Sequence, residues 1–147
     1  MLKNNRKAFT MLEIVFVIVV IGILSAVAIP KFAITRDDAN IAKAKATLAA
    51  VRSSIATERQ KQILRGVFTG ITDLGDATNV FSVFNGGTEQ VLQYPIVGCT
   101  VQECWERVDA TNYRYHLPVS GVANFALVNN RLDCSDDDTT NCQLLTD

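Results

Sequence analysis

The chain has 147 residues, of which 48% are apolar and 20% charged, with four cysteines and a formal net charge of −1. Such a length suits one domain, and the composition is neither that of a disordered chain nor collagen-like. The small net charge conceals a gradient: residues 1–30 carry +2, residues 31–65 carry +5 and residues 66–147 carry −8. An acidic C-terminal portion excludes a phosphate-binding, nucleic-acid-reading surface there.

In chain order, Lys3, Arg6 and Lys7 come first, then an isolated acid, Glu13, then the uncharged run 14–30. As a helix, residues 9–30 span about 33 Å, enough to cross a bilayer core. The run is apolar on every face, so the remaining chain is too small to wrap it as a core helix. The bases ahead of it place the N-terminus in the cytoplasm and everything after Pro30 outside. Ala26-Val27-Ala28 matches the small-x-small pattern of a signal peptidase site. Cleavage there would release an exported binding domain beginning at Ile29; retention would leave it anchored. Glu13 does not fit an ordinary signal, which places only bases there; a carboxylate at the hydrocarbon edge costs several kcal/mol unless something pairs with it, and is otherwise expected to sit solvated in the headgroup region.

Pro30 lacks an N–H and clashes with the preceding turn. A kink is expected rather than an end, because residues 33–65 contain no Gly or Pro and are rich in Ala, Lys and Arg. Ile34, Ile41, Ala44, Leu48, Val51, Ile55 and Ile63 fall on one stripe. Asp37 and Asp38 suit an early position, Arg65 a late one, and Gly66 a stop. The reading is one long bent helix over 9–65, with Gly22 and Pro30 as its special positions. Its bases Lys43, Lys45, Arg52, Arg59 and Lys61 form either a solvated face or a surface complementary to the acidic part of a neighbouring copy.

Beyond Gly66, the apolar pieces 67–74 and 80–84 are broken by Gly70, Gly75 and Asn85-Gly86-Gly87, which predicts a loop-rich connector. Residues 91–97 read as an edge strand limited by Pro95. Tyr113, Tyr115, Leu117 and Val119 alternate with Arg114 and His116, Ser120-Gly121 makes a turn, and 122–128 returns. Asn129-Asn130 is a second turn, into Arg131-Leu132. The fold class is therefore α+β: a long bent helix whose C-terminal half packs on a small antiparallel sheet.

Four cysteines in an exported head predict disulfides. All three connectivities remain open, with the local pairs Cys99–Cys104 and Cys134–Cys142 preferred. The spacing does not suit a zinc site, and no C-x-x-C supports redox chemistry. Asp133, Asp136, Asp137, Asp138, Thr139 and Asn141 make an oxygen-rich loop, either solvated or able to hold calcium. His116 is expected on the outer face beside Arg114. Trp105 is expected to cover the sheet or to stand exposed as a contact. No nucleophile–base arrangement and no phosphate loop is present, so an enzyme is not expected and no cofactor other than calcium is considered.

The stretch Lys7-Ala8-Phe9-Thr10-Met11-Leu12-Glu13, followed by the apolar run and Pro30, resembles the N-terminus of type IV pilins and type II secretion pseudopilins. The resemblance implies a leader at 1–8, a membrane-spanning and fibre-core helix at 9–30, an amphipathic half at 31–65 and a head at 66–147. It implies cleavage between Ala8 and Phe9 by a prepilin peptidase, and N-methylation of Phe9. It assigns Glu13 to the amine of a neighbouring subunit, which sets the axial register. One departure is Ala8, where the family prefers Gly. The implied partners are other pilin subunits, minor pilins among them, the assembly platform with its ATPase, and the inner membrane, with no direct nucleic acid. The implied location is a bacterial inner membrane, single-pass with a cytoplasmic N-terminus, the head lying in the periplasm or on an extracellular fibre. Major pseudopilins carry a calcium loop near their C-terminus, which would place calcium at Asp136, Asp137 and Asp138. The short length leans towards a secretion pseudopilus over a type IV pilus or a DNA-uptake fibre.

Overall fold

The computed structural model describes residues 9–119, 121–135 and 139–146. The chain divides into two compact units, Met1–Arg36 and Asp37–Asp147. One helix, α1 (Met11–Leu64), contributes to both. It begins two residues after Phe9 because Thr10 caps it: Thr10 Oγ1 accepts the Glu13 N–H at 3.3 Å, and Thr10 O accepts the N–H groups of Glu13 and Ile14. Thr10 and Glu13 stand at the first and fourth positions of a T-x-x-E capping sequence. The helix continues through Pro30, as the Ala- and Lys-rich sequence beyond it predicts. It ends where Gly66 takes φ 75°. There Val67 N–H bonds Gln62 O at 2.8 Å and Gly66 N–H bonds Ile63 O at 3.0 Å, the paired bonds of a Schellman stop.

In the first unit, Met11–Ile29 has a mean hydropathy of 2.9 and none of it is buried, so it is long and apolar enough to cross a membrane. The side chains of Phe16, Ile23 and Leu24 stand 65–69% exposed.

The second unit holds the sheet. After the connector come β1 (Asn79–Val80) and β2 (Ile96–Val97), a two-stranded antiparallel pair. The expected edge strand over 91–97 is thus shorter than predicted. Pro95 offers no donor, and only Ile96 and Val97 join a ladder, while Gln90 makes a single bridge to Val83. The main sheet is β3 (Cys104–Arg107), β4 (Asn112–His116), β5 (Val122–Val128) and β6 (Arg131–Cys134), antiparallel in that order. The β5–β6 turn is Asn129-Asn130 with φ 52° and 61°, the left-handed pair that a two-residue hairpin requires. A short helix α2 (Thr139–Thr146) closes the described chain.

Register decides the core. Trp105 stands opposite Tyr115 and Tyr115 opposite Ala123, while Tyr113 stands opposite Phe125 and Leu127 opposite Leu132. All are buried, so alternation along each strand points one row inward. The inward row shares a core with Ala44, Leu48, Val51 and Ile55 of α1. Trp105 packs 5.1 Å from both Phe81 and Tyr115, so it covers the sheet rather than standing exposed. Phe81 is fully buried at φ 56°, a conformation that costs a bulky residue about 1–2 kcal/mol and is offset by its ring contacts.

The helix stripe needs one correction. Ile63 is 48% exposed, and the buried row after Ile55 passes to Glu58, 4% exposed. Spacings of four and three from Ala44 lead to Glu58, whereas Ile63 lies off that line. The side chain of Ile34 lies outside the described ones.

Candidate functional site

The residues the sequence singled out occupy two places. The first is the start of α1. Phe9 lies outside the helix and is 73% exposed. Glu13 is in the first turn, where a carboxylate opposes the partial positive charge of the helix N-terminus. Its own N–H is committed to Thr10, which fixes where the turn begins. The Thr10 cap was legible as T-x-x-E ahead of an apolar run, but sequence reasoning that starts the helix at Phe9 passes over it. Ala8 lies outside the described residues. Gly22 has no neighbour within 4 Å of where a Cβ would stand, so its surroundings within this chain are open. This end can insert into an apolar medium, with Glu13 and Phe9 at its margin.

The second place is the head. Cys99 is bonded to Cys104, and Cys134 to Cys142, with Cα separations of 6.1 and 5.8 Å. The second bond joins β6 to α2 through Cys142, which is fully buried. The loop expected around this pair is therefore partly helical. An eight-residue helix with no charge and no long apolar period carries little sequence signal, and the disulfide and Leu145 hold it in place. Asp136, Asp137 and Asp138 lie outside the described residues. Asp133 is bound by two guanidinium groups, Arg52 at 3.4 Å and Arg131 at 3.1 Å. No group of three or more His, Cys, Asp and Glu suited to a metal occurs among the described residues.

Three of the five bases on the helix engage the chain's own head. Arg52 Nε donates to Leu132 O at 2.8 Å, on β6, the last strand of the sheet. That bond covers a strand edge that would otherwise present an open carbonyl. Arg59 donates to Thr69 O at 2.9 Å and to Phe68 O at 3.4 Å. Lys61 lies 3.7 Å from both Glu58 and Glu89. These contacts commit three of the bases that the sequence left either as a solvated face or as a surface for a neighbouring copy. Lys43 is exposed.

His116 lies on the outer face, as expected, with Nε2 2.8 Å from Glu106 Oε2; Arg114 approaches the same oxygen at 3.5 Å. The network that sequence reasoning missed runs through Asp73. Its carboxylate accepts from Arg107 Nε at 3.1 Å and Nη2 at 2.7 Å. Tyr113 Oη, 3.2 Å from the same carboxylate, accepts the Leu74 N–H at 2.8 Å. Burial pushes the Tyr113 hydroxyl above its ordinary range, and the hydrogen bonds to Asp73 raise Arg107 further. At the loop turns, the Thr78 and Asn79 N–H groups hold Asp76 well below the usual carboxylate range. Asn112 and Thr111 likewise bring Asp109 down to about 2. All of these stabilise loops; they gather no nucleophile or base around a cleft.

Residues 3–29 match the family described as the prokaryotic N-terminal methylation motif. The chain is also similar to the type IV narrow pilus major component PilA5 of Thermus thermophilus, at 52% identity over 61 residues. That stretch covers 40% of this chain and 53% of the relative, so the chain spans about half the length of the curated relative it matches. No solved structure matches it significantly. The methylation motif, the pilin relative and a long N-terminal helix followed by an antiparallel sheet make the chain similar to type IV pilins.

Proposed function

We propose that the chain is a structural subunit of a pilus-like helical fibre. The observation that carries this reading is the unburied apolar surface of Met11–Ile29, directly behind the Thr10-capped turn that holds Glu13. Such a surface is satisfied in lipid, and equally by packing against identical helices, so one segment serves the inserted subunit and the assembled core. In this reading a prepilin peptidase cuts between Ala8 and Phe9, and the new amine on Phe9 is methylated. Glu13 of one copy meets that amine on the next, since an unpaired carboxylate in a helix core is costly and the pairing fixes the axial step. An assembly platform and its ATPase draw subunits from the inner membrane, where the N-terminus faces the cytoplasm. The name of the relative favours a type IV pilus over the secretion pseudopilus that chain length alone suggested. No catalytic role is proposed.

The competing reading, an exported binding domain that never polymerises, requires cleavage after Ala28. Intact-mass and peptide mass spectrometry of envelope material separates the two. A mature chain beginning at methylated Phe9 supports the fibre subunit; one beginning at Ile29 overturns it. Glu13→Gln is expected to insert normally and to lower fibre yield roughly tenfold or more, because a neutral amide forfeits the ion pair in a low-dielectric core. Normal fibre yield with Gln would remove the assigned role of Glu13.

A further inference from the structure

Asn85 is the one asparagine in the chain that precedes a glycine. The pair forms an exposed turn with φ 51° and 66°, and beyond its chain neighbours no atom lies within 4 Å of where a Gly86 Cβ would stand. The Gly86 N–H serves no hydrogen bond among the described residues. Asn85 N–H, by contrast, bonds Asp73 O at 2.9 Å, and Gly87 N–H bonds Phe84 O at 2.8 Å. A backbone nitrogen with no partner and no Cβ beside it is open to approach by the preceding side chain.

The Asn85 side chain is engaged chiefly through its carbonyl. Oδ1 accepts the Thr72 N–H at 2.7 Å, the Asp73 N–H at 3.1 Å and the Thr72 hydroxyl at 3.2 Å, while Nδ2 donates to Gly70 O at 3.3 Å. Three donors on one amide oxygen polarise the bond to Cγ. They also stabilise the negative charge that grows on that oxygen when a nucleophile adds to Cγ. Asn129 and Asn130 share the left-handed backbone, with φ 52° and 61°, but are followed by Asn and Arg, whose side chains crowd the next nitrogen.

We propose that Asn85-Gly86 is a site of self-modification. The Gly86 nitrogen attacks Asn85 Cγ and a five-membered succinimide forms. The Cγ–Nδ2 bond breaks, and ammonia leaves with the proton that the Gly86 nitrogen gives up. Water then opens the ring at either carbonyl, giving aspartate or isoaspartate, and no other reactant enters. Each conversion adds a negative charge to the head. Isoaspartate carries the main chain through the former side chain, so the oxygen that held Thr72 and Asp73 is displaced and the connector is released. Asp73 in turn holds Arg107 at 2.7 Å, so the release reaches β3. The inference does not depend on the fibre-subunit reading.

The test incubates the purified full-length chain, folded in detergent micelles, at mildly alkaline pH. Peptide mass spectrometry, with fragmentation that separates aspartate from isoaspartate, follows each asparagine over time. Conversion at Asn85 is expected to be faster than at Asn129 or Asn130 by roughly tenfold or more. Converted chains should exchange the Thr72 and Asp73 amide hydrogens faster than unconverted ones. Gly86→Ala places a Cβ in the path of attack and is expected to slow conversion roughly tenfold. Thr72→Val leaves the turn sequence intact and removes only the hydroxyl donor, and is expected to slow conversion about threefold. No conversion at Asn85, or equal conversion at the three asparagines, overturns the site. Faster conversion in Thr72→Val overturns the role of the donors, and unchanged exchange at Thr72 and Asp73 overturns the release of the connector.

Discussion

Arg107 grips Asp73 through two parallel bonds, Nε to Oδ1 at 3.1 Å and Nη2 to Oδ2 at 2.7 Å, and so ties the connector to β3. The side chains are 25% and 22% exposed, so water screens the pair only in part. The same carboxylate accepts the Gly75 N–H at 3.1 Å and lies beside Tyr113 Oη. Removing one partner leaves the others under-satisfied. Asp73→Ala and Arg107→Ala are each expected to lower head stability by about 2–3 kcal/mol. Their double mutant should lose clearly less than the sum. Urea unfolding of the four variants measures this cycle, and additive losses would show that the pair is not coupled.

The two asparagines of the β5–β6 turn have different duties. Both need φ > 0, which Gly supplies freely. Only Asn130 also accepts the Ile71 N–H. Asn129→Gly should therefore change stability by no more than a few tenths of a kcal/mol, while Asn130→Gly leaves a partly buried donor unpaired and costs about 1–2 kcal/mol. Equal effects at the two positions would sink the distinction.

The disulfides should differ in weight. By chain entropy alone each short loop contributes about 2–3 kcal/mol. Cys142 is fully buried and anchors α2, whereas Cys99 and Cys104 are partly exposed. Replacing Cys134 and Cys142 by Ala is expected to lower the melting temperature more than replacing Cys99 and Cys104. It should also expose the α2 amides to hydrogen exchange. The reverse order would place the structural weight on the other loop.

Acid should loosen the loop turns at low pH. Asp109 is ordinarily near 3.8 and is brought down to about 2 by Asn112 and Thr111. A depressed carboxylate adds stability that is complete above its unfolded pKa and is lost as pH falls through its folded one. The window is thus about pH 4 to 2. Its size is small, because the group is solvent-screened. Carboxyl carbon NMR of the chain in micelles reads the titration directly, and a midpoint near 3.8 for Asp109 would contradict the turn geometry.

Much of this protein is legible in its residues. A helix follows from the apolar run and the Ala- and Lys-rich stretch behind it, since both patterns act over single turns and need no distant partner. Asn129-Asn130 between two alternating runs announces the β5–β6 hairpin for the same local reason. β3 is harder to see, because Cys-Trp-Glu-Arg becomes a strand through Tyr115 and Tyr113 across the ladder. α2 depends on Cys142 and Leu145 finding the core. Glu58 occupies a core row that composition would have given to Ile63.

The sequence by itself determined the apolar rod, the acid at its start, the charge gradient and the class of fold, because each is a property of neighbouring residues. Only the tertiary structure decided which bases serve the chain's own head, which partner each cysteine takes, and which apolar side chains stay uncovered. Those outcomes depend on backbone carbonyls, carboxylates and strand edges brought together from positions far apart in the chain, and no local pattern encodes them.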